Sequence, residues 1–272
     1  MKRKLRLYLP FVGAGMQETA TYRVNWIFFL FGEALACAVS FFIWNAVYNS
    51  GGGGEMHVFT FGQMIVYIVL MFLTNGIIGS DASWSVGEEV RDGSIAMRLI
   101  KPVSYNATFL FQEIGNKILT ELVLLVPLVI DVELIRWGLS GVFSFSIAHF
   151  LLYLLSCVFA YLINFFFNIC FGFIAFVIKY LWGANMMKNC IVGFLSGAII
   201  PLAFLPEGIR TVFLLLPFAS LNYTPVMIYM GKYTGLEMLW YMGLQLFWVL
   251  AFWALSKLLW KLSVKRLSVQ GG

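Results

Sequence analysis

The chain has 272 residues, of which 61% are hydrophobic and only 11% are charged. A soluble domain carries about 25% charged residues, so this composition excludes a chain that folds entirely in water. The 18 Lys and Arg lie at the ends of apolar segments and form no single basic stripe, which argues against nucleic acid as a partner. We therefore predict an all-α integral membrane protein in contact with lipid.

Six apolar runs are long enough to be membrane helices. Crossing about 30 Å of hydrocarbon takes roughly 20 residues, because a helix rises about 1.5 Å per residue. We predict a single transmembrane domain over residues 1–272, which starts with an interfacial segment at residues 1–23. The predicted spans cover residues 24–47, 59–79, 118–137, 147–178, 189–205 and 236–256. Two connections, residues 80–106 and residues 201–218, are long enough to hold structure of their own.

The basic residues predict the orientation of these spans. Lys and Arg in short loops stay on the cytoplasmic side of the membrane. With the N-terminus inside, only Arg136, Arg210 and Lys232 of the 18 basic residues lie outside. This asymmetry predicts an even number of spans, with both termini in the cytoplasm.

Sequence patterns that would mark an enzyme are missing. The only Gly-Lys pair, Gly231-Lys232, is followed by Tyr and does not form a phosphate-binding loop. The two histidines, His57 and His149, have no second metal ligand at helical spacing, so no metal site is predicted. The four cysteines lie in apolar segments without redox spacing and are interpreted as small hydrophobic residues. We expect no catalytic residue and no cofactor in this chain.

The connection at residues 80–106 has the pattern of two short helices. Ser80 or Asp81 can cap a first helix that stops at Gly93, and Ser94 can cap a second one. The side chains expected to anchor these helices are Trp84, Val86, Val90, Ile95, Leu99 and Ile100. The charges left for a partner are Glu88, Glu89, Arg91 and Asp92. The alternative interpretation is a solvated loop anchored at the interface.

The connection at residues 201–218 is interrupted by prolines. Pro201 and Pro206 break the fifth span, and Pro206 can open an amphipathic helix that ends before Pro217. Lipid cannot satisfy the backbone groups freed by such a break, so the segment must be buried in protein or line a cavity. This requirement predicts an external gate with the candidate residues Pro201, Leu205, Pro206, Pro217 and Phe218.

Acidic residues inside the predicted spans need a separate explanation. Glu33 lies near the middle of the first span, where an ionised side chain costs about 3 kcal/mol. It either lines a path for substrate or protons, or is neutral or paired inside the bundle, and the sequence favours neither. Asp131, Glu133 and Arg136 lie near the outer end of the third span, where we favour a position at the interface.

Three features of the sequence resemble the permease subunits of type-two ABC exporters. The first is Tyr22-Arg23 at the start of the first span. The second is the order of an acidic residue, Arg-x-Gly and Leu-x-x-Pro at Glu88 or Glu89, Arg91, Gly93, Leu99 and Pro102. The third comprises Ser196-Gly197, Pro201, Leu205-Pro206 and Pro217-Phe218. The resemblance extends over nearly the whole chain and includes the six spans.

The resemblance implies a permease in a bacterial cell membrane that works with an ABC ATP-binding subunit, which binds ATP and Mg. It implies a dimer with a second copy or with a homologous permease, and substrate passage along their interface. It assigns a connecting helix to residues 5–23 and a re-entrant external gate to residues 201–218. It assigns coupling to the ATPase to Trp84, Glu88, Glu89, Arg91, Asp92 and Gly93.

Two other functions remain open from the sequence. One is a proton- or ion-coupled secondary transporter that uses Glu33. Such transporters commonly carry related broken helices in both halves, whereas only the second half of this chain has a clear one. The other is a membrane scaffold that transports nothing.

Overall fold

The computed structural model describes residues 6–50, 59–100, 103–140, 146–178 and 180–265. The described residues are 83% helix and contain no strand, which confirms the all-α prediction. The helices are α1 (Leu9–Thr21), α2 (Arg23–Ser50), α3 (Phe61–Ile78), α4 (Ala82–Asp92), α5 (Ile95–Leu99), α6 (Tyr105–Ser140), α7 (Ile147–Gly172), α8 (Trp182–Leu195), α9 (Glu207–Leu215), α10 (Tyr223–Tyr229) and α11 (Gly235–Val264). Short 3-10 helices at Phe173–Phe176 and Leu202–Phe204 extend α7 and precede α9.

Four helical stretches among the described residues are long and apolar enough to cross a membrane. They are Leu30–Ser50, Phe61–Asp92, Ile147–Phe176 and Gly235–Val264, and they overlap the first, second, fourth and sixth predicted spans. The third predicted span lies within α6, whose 36 residues would extend about 54 Å. Charged residues recur along α6, among them Lys117, Glu121 and Glu133.

The fifth predicted span is not one continuous helix. α8 has 14 residues, which reach only about 21 Å, and it ends at Leu195. Gly197 follows with a φ of 80°, in the left-handed region. The chain then turns until the short helix at Leu202–Phe204. The sequence predicts that Pro201 breaks the fifth span. The structure places the break earlier, because a left-handed glycine at position 197 ends α8.

The N-terminal helix α1 packs along the first half of α6, in the most extensive helix pairing of the described residues. Two glycines let the backbones touch. A Cβ atom on Gly15 would lie 2.1 Å from the carbonyl oxygen of Gln112, and one on Gly115 would lie 2.1 Å from that of Val12. The predicted interfacial segment is thus fixed to α6, which follows α4 and α5 in the chain.

Helix α7 is the central element of the bundle. Its N-terminal half packs with α3 and α10 in one core, and its C-terminal half packs with α4, α6 and α11 in a second. Gln245 of α11 is fully buried and donates to the carbonyl oxygen of Ser220 at 2.8 Å. Its side-chain oxygen accepts from the hydroxyl of Ser156 at 2.9 Å. This amide ties α11 to α7 and to the turn that precedes α10.

Candidate functional site: the α4–α5 segment and the break after α8

The two short helices predicted between the second and third spans are present. α4 begins at Ala82 and ends at Asp92, and α5 follows directly. Gly93 joins them with a φ of 79° and a ψ of 0°. A side chain in this left-handed conformation costs about 1–2 kcal/mol, so glycine favours the sharp change of direction. The side chains of Asp81 and Ser94 make no capping hydrogen bond, which differs from the expected role of Ser94.

One face of α4 is buried against the C-terminal half of α7. The residues on this face that lose nearly all exposure are Ala82, Ser83 and Val86. A Cβ atom on Gly172 of α7 would lie only 2.8 Å from the Cβ atom of Val86, so glycine at that position permits the close approach. Trp84 and Val90, the other expected anchors on α4, are half-buried. Close packing against α7 leaves α4 little freedom to move independently.

A buried polar cluster lies beneath α4 and joins it to α7 and α8. Lys188 is 6% exposed, and its ammonium donates to the hydroxyl of Ser83 at 3.0 Å and to the amide oxygen of Asn168. The same Ser83 hydroxyl donates to the amide oxygen of Asn185 at 2.8 Å. A buried ammonium is costly unless its hydrogen bonds are satisfied, so this cluster fixes the relative position of the three helices.

Sequence reasoning missed this cluster. Lys188 looked like one more cytoplasmic basic residue at the end of a span. Ser83 and Lys188 are 105 positions apart, and no local pattern links them. Only a polar residue on the apolar face of α4, Ser83 between Ala82 and Val86, could have signalled it.

Glu89 faces the protein interior, which differs from its expected role toward a partner. Its carboxylate forms an ion pair with Arg98 of α5, and both side chains are at most 20% exposed. The hydroxyl of Tyr105 donates to the second carboxylate oxygen at 3.4 Å. Arg98 also donates to the hydroxyl of Thr108 at 2.9 Å. Glu89 and Arg98 therefore fix α5 and the start of α6 to α4.

Three of the expected partner-facing charges on α4 remain exposed. Glu88, Arg91 and Asp92 are three and four residues apart and share one side of the helix; we call them the charged face of α4. Arg91 lies 5.9 Å from the ring centroid of Tyr180. The carboxylate of Asp92 accepts from the backbone N–H of Ser94 at 2.9 Å, so it also supports the turn at Gly93.

A carboxylate from α6 holds the start of α4. Glu113 accepts a hydrogen bond from the hydroxyl of Ser80 at 3.0 Å and from the backbone N–H of Asp81 at 3.1 Å. Its other oxygen accepts from the hydroxyl of Tyr161 at 3.1 Å. Glu113 and the cluster around Lys188 therefore hold the start of α4, the Glu89–Arg98 ion pair holds its second half, and its charged face stays exposed.

Part of the break after α8 packs inside the protein, while Ile199 and Ile200 stay exposed. The carbonyl oxygen of Gly197 accepts from the hydroxyl of Tyr67 on α3 at 2.8 Å. Pro201 is buried and Leu202 is fully buried in the same core. Tyr67 of α3 thus satisfies one freed carbonyl group, and the N–H groups of residues 197–199 bond back to carbonyl oxygens at the end of α8.

The remaining gate candidates lie around α9. Pro206 is exposed and precedes α9, which ends at Leu215, so the predicted helix between two prolines is present. Leu205 and Phe218 are half-buried, and Pro217 is buried. α9 itself has no buried residue. It lies on the outside of the bundle, held at one end by the core and at the other by the buried Pro217.

The acidic residues of the spans differ from one another. Glu33 is half-buried on α2, and within the described residues no hydrogen bond or ion pair reaches its carboxylate. Glu133 is 7% exposed and pairs with Arg136 at 3.0 Å while accepting from the hydroxyl of Tyr229 at 2.7 Å. Glu133 is therefore buried and not exposed at the interface. The side chain of Asp131 lies outside the described residues.

One comparison with known proteins identifies a family. The family model described as "ABC-2 family transporter protein" matches residues 34–271. The match begins within α2 and covers all later helices, including both the α4–α5 segment and the break after α8. No curated protein matches the chain.

Proposed function

The chain belongs to the ABC-2 transporter family, and on that premise we propose that it forms the export path of an ATP-driven transporter and couples it to a separate ATPase. Family membership makes it a multi-pass membrane permease of an ABC transporter. The observation that carries the proposal further is the α4–α5 segment. A short helix held firmly on one side and charged on the other is suited to transmit the motion of a bound partner.

The coupling step in this proposal is a rigid-body movement. The ATP-binding subunit contacts the charged face of α4 and changes position when it binds and hydrolyses ATP with Mg. Glu113 and the cluster around Lys188 hold α4 to α6, α7 and α8, so displacement of α4 must move these helices with it. The ion pair of Glu89 with Arg98 carries α5 along. Trp84 and Gly93 then maintain the shape of the segment and do not contact ATP.

The proposed topology has six spans with both termini in the cytoplasm of a bacterial cell. The asymmetry of the basic residues supports it. α6 supplies the third span, where Glu113 accepts a hydrogen bond from Tyr161 of α7 and Lys117 donates to the carbonyl oxygen of Gly76 on α3. α8 and the turns up to residue 205 supply the fifth as a broken span. A second copy or a homologous permease completes the path, with residues 201–218 as its external gate.

Glu33 supports a second candidate function. A half-buried carboxylate within an apolar helix, without a partner among the described residues, is suited to carry a proton. In that case the chain would be a proton-coupled transporter. To test this alternative, transport is measured with the chain depleted of its ATPase under an imposed pH gradient. Transport that follows the gradient and is lost in Glu33→Gln would establish it.

Photo-crosslinking tests the coupling proposal. A photoreactive amino acid replaces Glu88 or Arg91 in the full chain, expressed in its native cells, and crosslinked chains are identified by mass spectrometry. We expect adducts with a protein that contains a phosphate-binding loop. The control places the same amino acid at Glu207, which is also exposed but lies on α9. No ATPase adduct from either position on α4, or equal capture from Glu207, would contradict the proposal.

A further inference from the structure

A cavity of about 440 Å³ lies between α9, the start of α10 and the first turns of α11. Its volume falls within the range of about 300–1,000 Å³ typical of small-molecule sites. Neither the coupling step nor the break after α8 uses it. The side chains on its wall that bear on a ligand are Arg210, Tyr223, Tyr233, Glu237, Trp240 and Tyr241.

One wall of the cavity is aromatic. The rings of Tyr233 and Tyr241 stack with centroids 4.4 Å apart, and Tyr223 meets Tyr233 edge-on at 6.5 Å. Tyr223 and Tyr233 are buried, while Trp240 keeps 62% of its surface exposed. The wall therefore offers ring faces to an occupant.

Two opposite charges line the cavity on different helices. Glu237, Trp240 and Tyr241 are three and four residues apart, so they share one face of α11. Arg210 lies on α9, on the other side of the cavity. Within the described residues neither Arg210 nor Glu237 takes part in an ion pair. A carboxylate beside aromatic rings thus lies across the cavity from a guanidinium.

We propose that this cavity binds the zwitterionic headgroup of a phospholipid, an alkylammonium joined to a phosphate ester. An ammonium is attracted to the faces of Trp and Tyr, and Glu237 adds an opposite charge. The guanidinium of Arg210 suits a phosphate because it donates several hydrogen bonds in one plane. An anionic headgroup without an ammonium would place its phosphate in the same cavity but leave Glu237 without a partner.

The surroundings of the cavity also suit a lipid. Leu215 at the end of α9 is 49% exposed, and Leu236 and Leu239 of α11 are 83% and 63% exposed. These side chains provide an apolar surface for acyl chains next to the polar cavity. The inference requires the chain to lie in a membrane but does not depend on export or on the ATPase.

Native mass spectrometry of the full chain in detergent tests the proposal. Wild type is titrated with phosphatidylcholine and with phosphatidylglycerol of identical acyl chains. We expect phosphatidylcholine to bind about tenfold more tightly, because only its headgroup carries an ammonium that the aromatic rings and Glu237 can bind. Arg210→Gln should weaken the binding of both lipids, whereas Glu237→Gln should lose most of the preference. Glu207→Gln, an exposed carboxylate on α9, is the matched control and should retain it.

A second arm distinguishes a lipid from a soluble source of the same headgroup. Soluble phosphocholine is titrated against wild type and the same variants. If Arg210→Gln and Glu237→Gln weaken the binding of the lipid but not of phosphocholine, the site is assigned to membrane phospholipid. If they weaken the binding of both equally, the site is assigned to a soluble ester. Equal binding of the two lipids by wild type, or variants that match Glu207→Gln, would overturn the proposal. Both altered side chains retain exposure, and unchanged elution in size-exclusion chromatography confirms folding.

Discussion

Replacement of Gly15 by Ala should weaken the packing of α1 against α6. The added Cβ atom would lie 2.1 Å from the carbonyl oxygen of Gln112, where an ordinary contact is about 3.5 Å. The helices must therefore separate by more than about 1 Å, and overpacking of this kind costs about 1–3 kcal/mol. Alanine recovers about 0.5–1 kcal/mol through its greater helix propensity. We expect a net loss of about 1–2 kcal/mol.

Gly13→Ala provides the matched control on the same helix. Nothing lies within 4 Å of the position its Cβ would take, so only the gain in helix propensity remains. Gly115→Ala, whose Cβ would lie 2.1 Å from the carbonyl oxygen of Val12, should act like Gly15→Ala from the opposite helix.

Tryptophan fluorescence during thermal unfolding in detergent measures these effects. Each kcal/mol shifts the melting temperature by roughly 2–4 °C in a chain of this size, so Gly15→Ala should lower it and Gly13→Ala should raise it. Hydrogen exchange should show faster exchange of α1 amides in Gly15→Ala. Shifts in the same direction for Gly13→Ala and Gly15→Ala would refute the close approach of the two helices.

Three further predictions concern the α4–α5 segment. Lys188→Met should lower stability by about 1–3 kcal/mol in the same unfolding assay, because it removes the ammonium that donates to the buried oxygens of Ser83 and Asn168. Glu89→Gln should also lower the melting temperature, by weakening its bond to Arg98, whereas Glu88→Gln on the exposed side should leave it unchanged. Gly93→Val should cost about 1–2 kcal/mol in that assay and uncouple ATP hydrolysis from partner binding, because its φ of 79° strains a branched side chain. Unchanged melting temperatures in Lys188→Met or Glu89→Gln, or normal coupling in Gly93→Val, would contradict the respective role.

Local chemistry made the short helices predictable. A glycine that ends one helix and begins a change of direction is visible in the sequence, and Gly93 is found in that role. The helix between Pro206 and Pro217 was predictable for the same reason, since proline restricts its own backbone and that of its neighbour.

Contacts between distant residues were not predictable. Glu88 and Glu89 are neighbours with the same charge, and only the orientation of α4 on α7 decides that Glu89 is turned toward Arg98. The cluster of Lys188 and Ser83 depends on three helices meeting. Both Gly197 and Pro201 can end a helix, and the sequence alone does not show which of them ends α8. In the structure α8 ends at Leu195, just before the left-handed Gly197.

Charge reversal on α4 tests the central claim, that this helix couples a permease to an ATPase. The full complex is purified from cells that express Glu88→Lys, Arg91→Glu or the control Glu207→Lys, and both the amount of ATPase retained and its hydrolysis rate in nanodiscs are measured. We expect either reversal on α4 to weaken ATPase retention by at least about tenfold while the permease remains folded, and Glu207→Lys to behave as wild type. Wild-type retention and hydrolysis in both α4 variants would show that the charged face of α4 does not bind an ATPase.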